Sequence, residues 1–470
     1  MKPVIALVGR PNVGKSTLFN VLTQTRNALV ADFPGLTRDR QYGDGKLGGH
    51  AYLVVDTGGL TPEKEGVDVL MAQQVEQAIQ EADAVCFLVD AKAGVTAMDQ
   101  EVAKQLRRYG RKVFLVANKI DGLNLDAALP ELYSLGLGEP LPIAASQSRG
   151  VQQLVEHLFQ VMQLPPADDE EAIDDAIRVA VIGRPNVGKS TLVNRLLGEE
   201  RVVVFDEPGT TRDSVFIPFS RQLEGHESRD FVLIDTAGVR RRSKVSETVE
   251  KFSVIKTIQA IDAANVVFQV IDASETITEQ DLSLLRLILE RGRALVFVVN
   301  KWDNLSAEQK ERIKTDLDRR LRFIDFARTH MISALHGTGV GLLLDTAIEA
   351  YNSAMMDVST SMLNQILEDA LMELQPPLAR GRRIKIRYVH QGGKNPPRLV
   401  LHGNQLDRLP ENYVRYLSRY FQKRLKIVGS PVQLDFKTSD NPYKHKRNKL
   451  TPRQEYKRKR MLKHLKSGKK

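Results

Sequence analysis

The sequence predicts an α/β protein in which two copies of a mostly parallel sheet, with helices on both faces, precede a small α+β module. Three observations predict this. The block GRPNVGKSTL at residues 9–18 recurs unchanged at residues 183–192. The offset, 183 minus 9 or 174 residues, far exceeds a solenoid period, so each copy is a whole domain. Short β-branched runs alternate with helical patterns around both blocks, as strands and crossover helices do in parallel sheets. Finally, the charge is lopsided: from residue 380 to 470 there are 27 Lys and Arg against 5 Asp and Glu, although the chain as a whole is only +10. The basicity belongs to the C-terminal part alone.

In the first copy, residues 4–8, 52–55, 84–89 and 113–116 read as buried strands, with an amphipathic stretch at 99–108. The second copy repeats this with 178–182, 231–234, 266–271 and 294–299. Between them, Pro165, Pro166 and Ala167 lead into Asp168, Asp169, Glu170, Glu171, Asp174 and Asp175. A helix breaker beside self-repelling charge reads as a linker. Beyond the second copy comes a helical pattern at 361–374, the breaker Pro376-Pro377, strands at 384–389 and 398–401 around Gly392-Gly393, a helix from Pro410 to about residue 426, and a strand at 432–436. The expected domains are therefore 1–164, an acidic linker at 165–176, 177–354, an α-β-β-α-β sandwich at 355–436, and a basic disordered tail at 437–470. That tail holds 14 Lys and Arg against 2 Asp and Glu, with too little apolar surface to fold.

At 470 residues and 42% hydrophobic, the chain has room for about three domains. No stretch approaches the roughly 20 apolar residues that span a bilayer, and the run at 4–8 is too short for a secretory leader. The single cysteine, Cys86, cannot form an intramolecular disulfide and lies in an apolar run, where a packed thiol is expected. A soluble, cytoplasmic, monomeric protein is the expectation.

The chemistry lies in motifs that occur twice. Gly9-Arg10-Pro11-Asn12-Val13-Gly14-Lys15-Ser16-Thr17 and Gly183-Arg184-Pro185-Asn186-Val187-Gly188-Lys189-Ser190-Thr191 each follow a strand and open a helix. In that context the glycines let backbone N–H groups curl around phosphate oxygens, and the helix N-terminus adds partial positive charge. Lys15 and Lys189 are expected on the terminal phosphates, and Ser16 and Ser190 on Mg²⁺. Asn118-Lys119-Ile120-Asp121 and Asn300-Lys301-Trp302-Asp303 select the base. An aspartate accepts two hydrogen bonds from guanine N1–H and its exocyclic amine, a donor pair that adenine lacks. Asp56-Thr57-Gly58-Gly59 and Asp235-Thr236-Ala237-Gly238 end apolar strands, placing an aspartate for Mg²⁺ and a glycine N–H for the γ-phosphate. Thr37 and Thr211 each lie 28 residues beyond the start of their loop (37 minus 9 and 211 minus 183), where a first switch would supply a Mg²⁺ ligand.

These residues resemble the EngA family, also called Der: bacterial GTPases with two Era-like domains and a KH-like C-terminal domain. The resemblance covers essentially the whole length. It implies two GTPase domains of the P-loop class, GTP and GDP as ligands, and binding of ribosomal RNA in assembly of the large ribosomal subunit. The second base-edge loop, Ile332-Ser333-Ala334, matches the family's Ser-Ala pattern, whereas the first reads Ile143-Ala144-Ala145; the contact usually assigned there is the backbone N–H of Ala145. Where many small GTPases carry a water-positioning glutamine, this chain has Leu60 and Val239, so hydrolysis should be slow. Asn12 and Asn186 resemble the asparagine that helps hold K⁺ against the phosphates in potassium-activated relatives, with Arg38 and Arg212 as rival cationic groups. The C-terminal module lacks a GxxG loop, which leaves docking against a GTPase domain open beside RNA binding. The tail favours an RNA phosphate backbone, and the run Arg240-Arg241-Arg242 could meet RNA or solvent. The sequence thus reads as a GTP-hydrolysing switch that binds RNA. Its rivals are a GTPase partner in RNA modification and a nucleotide-holding, RNA-binding module without significant turnover.

Overall fold

The computed structural model describes residues 2–24, 41–57, 76, 78–163, 176–198, 202–204, 215–222, 228–235, 254–275, 277–379 and 382–438. It divides into two compact units, one comprising residues 1–356 with 426–431, the other 357–425 with the residues from 432 onward.

In the first unit, the apolar runs become central strands because they are apolar on both faces. The first sheet contains β1 (Val4–Val8), β2 (Gln41–Gly45), β3 (Tyr52–Asp56), β4 (Ala84–Asp90), β5 (Lys112–Asn118) and β6 (Leu141–Pro142), in the order β2-β3-β1-β4-β5-β6. All neighbours are parallel except β2 and β3. Along β1, Ile5 and Leu7 pack with Leu18 and Phe19 of helix α1 (Lys15–Thr23) and with Leu154 and Leu158 of another helix, while Val4, Ala6 and Val8 face the other core. Burial of both faces explains why the run does not alternate apolar with polar. Helices α2 (Ala97–Arg108) and α3 (Val151–Met162) complete the principal helices here. Cys86 is buried in β4, and burial pushes its thiol up to about 12, so it is an inert packed group.

The second sheet comprises β7 (Ile177–Ile182), β8 (Val202–Val204), β9 (Val215–Gln222), β10 (Ser228–Asp235), β11 (Val266–Asp272), β12 (Ala294–Asn300) and β13 (Arg328–Met331), ordered β13-β12-β11-β7-β10-β9-β8. Strands β9 and β8 form an antiparallel edge. Its principal helices are α4 (Lys189–Leu197), α5 (Val254–Ala263), α6 (Glu279–Glu290), α7 (Ala307–Arg320) and α8 (Gly341–Met355). The expected central strands are all present. The edge strands β2, β6, β8 and β13, and β9 beside β8, carry patterns too short or mixed to read as strands from sequence; β2 reads QYGDG.

One apolar cluster runs from the first sheet, through Val4, Ala6 and Phe87, to the second, through Ala180, Ile258 and Phe297. Beside it lies an ion cluster joining the two copies. The Lys2 ammonium donates to Asp44 of β2 (3.0 Å) and Asp262 of α5 (2.9 Å). The Arg291 guanidinium, after α6, contacts both carboxylates at 2.8 and 3.0 Å. Elsewhere in this unit, Gly429 accepts from the Leu295 N–H (2.6 Å) and donates to the Phe326 carbonyl (2.8 Å). Its φ of +74° and a Cβ position only 2.5 Å from Ala350 Cβ require glycine.

The second unit follows the expected α-β-β-α-β order: α9 (Thr360–Glu373), β16 (Lys385–Gly393), β17 (Arg398–Asn404), α10 (Glu411–Arg424) and β18 (Gln433–Thr438), with the small hairpin β14 (Leu378–Ala379) and β15 (Arg382–Arg383) after α9. Strand β17 pairs antiparallel with β16 and parallel with β18. Gly392 and Gly393 do not form the turn. They end β16 at a register irregularity, and the turn falls at Lys394, Asn395, Pro396 and Pro397. The glycine is needed for close approach, since a Cβ on Gly392 would lie 2.5 Å from Val400 Cγ2. The acidic linker at 164–175 and the tail at 439–470 lie outside the described residues.

The ion cluster makes a pH prediction. Burial alone would raise the Asp44 carboxyl, but Arg291 and Lys2 outweigh it and hold it below the usual carboxylate range. An acid depressed in this way contributes stability above its unfolded value of about 3.9 and loses it as pH falls through the folded value. Arg291→Met should cost about 2–3 kcal/mol at neutral pH, with the deficit relative to wild type shrinking below about pH 4. Thermal melts across pH check this; a deficit independent of pH would contradict it.

Candidate nucleotide sites

Each phosphate loop is positioned by a buried strand before it and a helix after it. Helices α1 and α4 begin at Gly14 and Gly188 with no side-chain cap, whereas α2 and α6 are closed by capping boxes at Thr96 and Thr278. An uncapped N-terminus leaves its first N–H groups for another acceptor, and an anion is the natural one. Lys15 and Lys189, 6% and 8% exposed, are drawn back over the loop. The Lys15 ammonium donates to the Gly9 and Arg10 carbonyls at 2.8 and 2.9 Å, and that of Lys189 to the Arg184 carbonyl at 2.8 Å. Burial pushes the Lys15 ammonium below its ordinary range, only partly offset by Asp56; added negative charge would restore it. Asn12 and Asn186 are exposed, at φ of +66° and +64°, a conformation asparagine tolerates better than most residues.

The asparagines ending β5 and β12 bind each site's two halves together. Asn118 Nδ2 donates to the Val13 carbonyl (2.8 Å), while its Oδ1 accepts from the Ala145 N–H (3.0 Å). Asn300 does the same with Val187 (2.8 Å) and Ala334 (2.9 Å). The amide approaches so closely that a Cβ on Gly14 or Gly188 would lie 2.3 Å from Nδ2. That, with φ of +99° and +96°, explains the second glycine of the motif. The backbone N–H of Ala145, expected toward the base, is thus also the group that fixes its loop.

Of the aspartates expected to read the base, Asp303 is exposed and Asp121 half-buried, and they differ in their support. Asp303 is held well below the usual carboxylate range first by the Ser333 hydroxyl. In the first copy alanine stands at that position, and Lys92 takes over: its ammonium hydrogen bonds Asp121 and holds the carboxyl low. Both groups are ionised acceptors, as recognition of guanine's two donors requires. Lys119 and Lys301 have left-handed backbones, and their ammoniums pair with Asp90 and Asp272, which end β4 and β11. Those aspartates were not marked in the sequence, although an acid closing an apolar strand beside the base loop was a usable signal. Also unmarked were the partners of the loop arginines. Arg10 pairs with Asp99 (3.4 Å), and Arg184 with Asp281 (3.0 Å) and Glu275 (2.6 Å). Asp99 and Asp281 are the first-turn acids, at the third helical position, of the two capping boxes, legible as T-x-x-D.

In the first copy, the Ser16 hydroxyl donates to Asp56 Oδ2 at 2.7 Å. Two oxygen ligands adjoining a phosphate loop fit Mg²⁺, which prefers few protein ligands plus phosphate oxygens. The Thr57 hydroxyl donates to the Leu7 carbonyl (2.7 Å) and so anchors the strand end that carries Asp56. Ser190, Thr17 and Thr191 lie in their helices as expected. Thr37, Thr211, Gly58, Gly59, Leu60, Thr236, Ala237, Gly238, Val239, Arg38, Arg212 and the arginine run at 240–242 lie outside the described residues, as does the side chain of Asp235.

The family model described as "50S ribosome-binding GTPase" matches residues 4–119 and 178–301, and the model described as the C-terminal KH-domain-like part of EngA bacterial GTPase enzymes matches 358–437. The chain is 58% identical over 469 residues to GTPase Der of Thioalkalivibrio sulfidiphilus, covering 99% of this chain and all of the relative. It is 56% identical to GTPase Der of Shigella boydii over the full length of both. Among solved structures, Era of Aquifex aeolicus bound to GDP and aluminium fluoride is 23% identical, covering 56% of this chain and 93% of that one, with a TM-score of 0.28.

Unequal support of the base-reading acids predicts unequal sites. Ala144→Ser should give Asp121 the hydroxyl partner that Asp303 has, tightening GDP at the first site about fivefold, as one added hydrogen bond would. Ser333→Ala should weaken the second by a similar factor. Calorimetry with each phosphate loop disabled in turn resolves the sites; no change in either would show that the hydroxyl has no part in base binding.

Proposed function

The chain belongs to the EngA/Der family of bacterial tandem GTPases, and from that premise we propose that it is a slow GTP switch that binds ribosomal RNA in the large ribosomal subunit and acts in assembling that subunit. It hydrolyses GTP to GDP and phosphate. The observation that carries the rest is the joining of two such sites to a basic KH-like module: residues 380–470 hold 27 Lys and Arg against 5 Asp and Glu, a charge suited to a phosphate backbone. The family model's description as ribosome-binding supports the same partner. A monomer in the cytoplasm is the setting we infer; among the described residues, no helix is long and apolar enough to cross a membrane.

In this reading Lys15 and Lys189 swing from the loop carbonyls toward the terminal phosphates and stabilise the charge that grows there, together with the backbone N–H groups at the N-termini of α1 and α4. Mg²⁺, when bound, neutralises phosphate charge, held by Ser16 and Asp56 in one copy and by Ser190 and Asp235 in the other, with Thr37 and Thr211 completing each set. With leucine and valine after the sensor glycines, nothing there orients a water, so the nucleotide state outlasts encounters with the partner. Asn12 and Asn186, exposed on the rims of their loops, would help hold K⁺ as the missing positive charge. The domains proposed from sequence, with the acidic linker at 165–176 and the RNA-binding tail at 437–470, complete the switch.

Turnover should be at least about tenfold faster in K⁺ than in Na⁺, and Asn12→Ala with Asn186→Ala should remove most of that difference; equal rates in both salts would end the potassium reading. Co-sedimentation with ribosomal subunits in a GTP analogue, GDP or no nucleotide, with and without residues 437–470, tests the switch. Binding should depend on nucleotide and fall when the tail is deleted. Indifference to nucleotide would refute the switch, and indifference to deletion would refute the tail's role.

A further inference from the structure

The sheet of the second unit carries a row of rings for which nucleotide binding has no use. Tyr388 and His390 lie two apart on β16, and Tyr388 is the cross-strand partner of His402 on β17, so all three share one face. The Tyr388 and His402 rings are 4.4 Å apart and within 5° of parallel; His390 stacks on His402 at 5.1 Å. Val389 and Leu401, which alternate with them, are fully buried, whereas Tyr388 is 45% exposed. Val400, on the ring face, is 5% exposed and gives the row an apolar floor. Lys437 of β18 is the register partner of His402. Also on this face, Arg398 and Asp435 pair with each other at 3.5 Å, and exposed Lys385, the register partner of Asn404, adds a further cation.

A cross-strand aromatic pair can serve the sheet alone. Here the row goes further. It has three members rather than two, it ends on a tyrosine nearly half open to solvent, and a lysine stands beside it on a strongly basic module. Flat rings continued by an exposed ring, with a cation alongside, are what unpaired bases use when they stack on a sheet. The acid on this face, Asp435, is already paired with Arg398, so the charge left over is cationic, which suits a nucleic acid better than a protein partner. A duplex keeps its base faces stacked internally and could offer only its backbone.

We propose that this face is a stacking platform for one or two unpaired bases of single-stranded RNA, with Lys437 on a neighbouring phosphate. The proposal rests on the RNA-binding reading above and sharpens it: without a GxxG clamp, base contact moves to the open face of the sheet.

The test uses the full-length chain with a single-stranded RNA of about ten nucleotides carrying 2-aminopurine, and a blunt duplex of equal phosphate number. Wild type should bind the single strand and quench the 2-aminopurine by stacking. Tyr388→Leu should weaken single-strand binding about tenfold and abolish the quench, with duplex binding and GTP turnover unchanged; Tyr388→Phe should behave as wild type. His402→Asn, which breaks the row from its middle, should repeat the Leu result. Wild-type binding and quenching by both Tyr388→Leu and His402→Asn would overturn the platform while leaving RNA binding intact. Equal losses for single strand and duplex would also overturn it. If wild type binds neither RNA, the RNA reading falls, and the platform with it.

Discussion

The side-chain amides of Asn118 and Asn300 each donate to a carbonyl of the phosphate loop and accept an N–H from the base-edge loop, and much of each site follows from that bridge. It fixes the distance between the groups expected to hold the phosphates and those expected to read the base. It also explains a feature that conformational freedom alone would leave half explained. Gly14 and Gly188 are glycines because the amide occupies the space a Cβ would need, as well as because their φ angles are positive. Selectivity and phosphate binding are mechanically one arrangement: moving either loop breaks a buried hydrogen bond whose orphaned partner costs about 1–3 kcal/mol.

Around this shared bridge the two copies diverge. The second supports its base-reading aspartate with a hydroxyl and its loop arginine with two acids; the first uses a lysine for the aspartate and a longer contact to one acid for the arginine. The two sheets share an apolar cluster and an ion cluster of two cations and two carboxylates. Asp44 sits on the strand that follows the first copy's Thr37 segment, and Asp262 on the helix that follows the second copy's Asp235 segment. The contact between the copies is therefore built from elements adjoining the expected switches rather than from remote surface.

Much of this was legible in the sequence because the determining patterns are local. Fully apolar strands, paired motifs and a glycine loop between strand and helix placed the central strands, the loops that open α1 and α4, and the α-β-β-α-β order of the small module. What was not legible depends on distant residues meeting. The pairs Lys119 with Asp90 and Arg10 with Asp99 join positions far apart in sequence; each acid carries a local signal of its own, but that signal does not say which cation it meets. Edge strands such as β2 and β8 exist because a neighbour supplies half their hydrogen bonds, so their own residues need carry little β-signal. The displaced turn after β16 has the same origin: Gly392 answers to Val400 across the sheet, not to a turn.

The outer edge of β16 has its own safeguard. Asn364 of α9 gives one amide hydrogen to the Val389 carbonyl and takes the Val389 N–H on its Oδ1, both at 3.0 Å, the two bonds that a neighbouring strand would otherwise make. An open edge invites another chain to extend the sheet; here the invitation is withdrawn at the middle of the strand. This edge of the sheet is thereby guarded against edge-to-edge self-association, and an extended peptide cannot continue the ladder past Val389. Recognition beside β16 is thereby left to side chains on the sheet face, which makes it sensitive to the chemistry of its partner rather than to the backbone that any chain could offer.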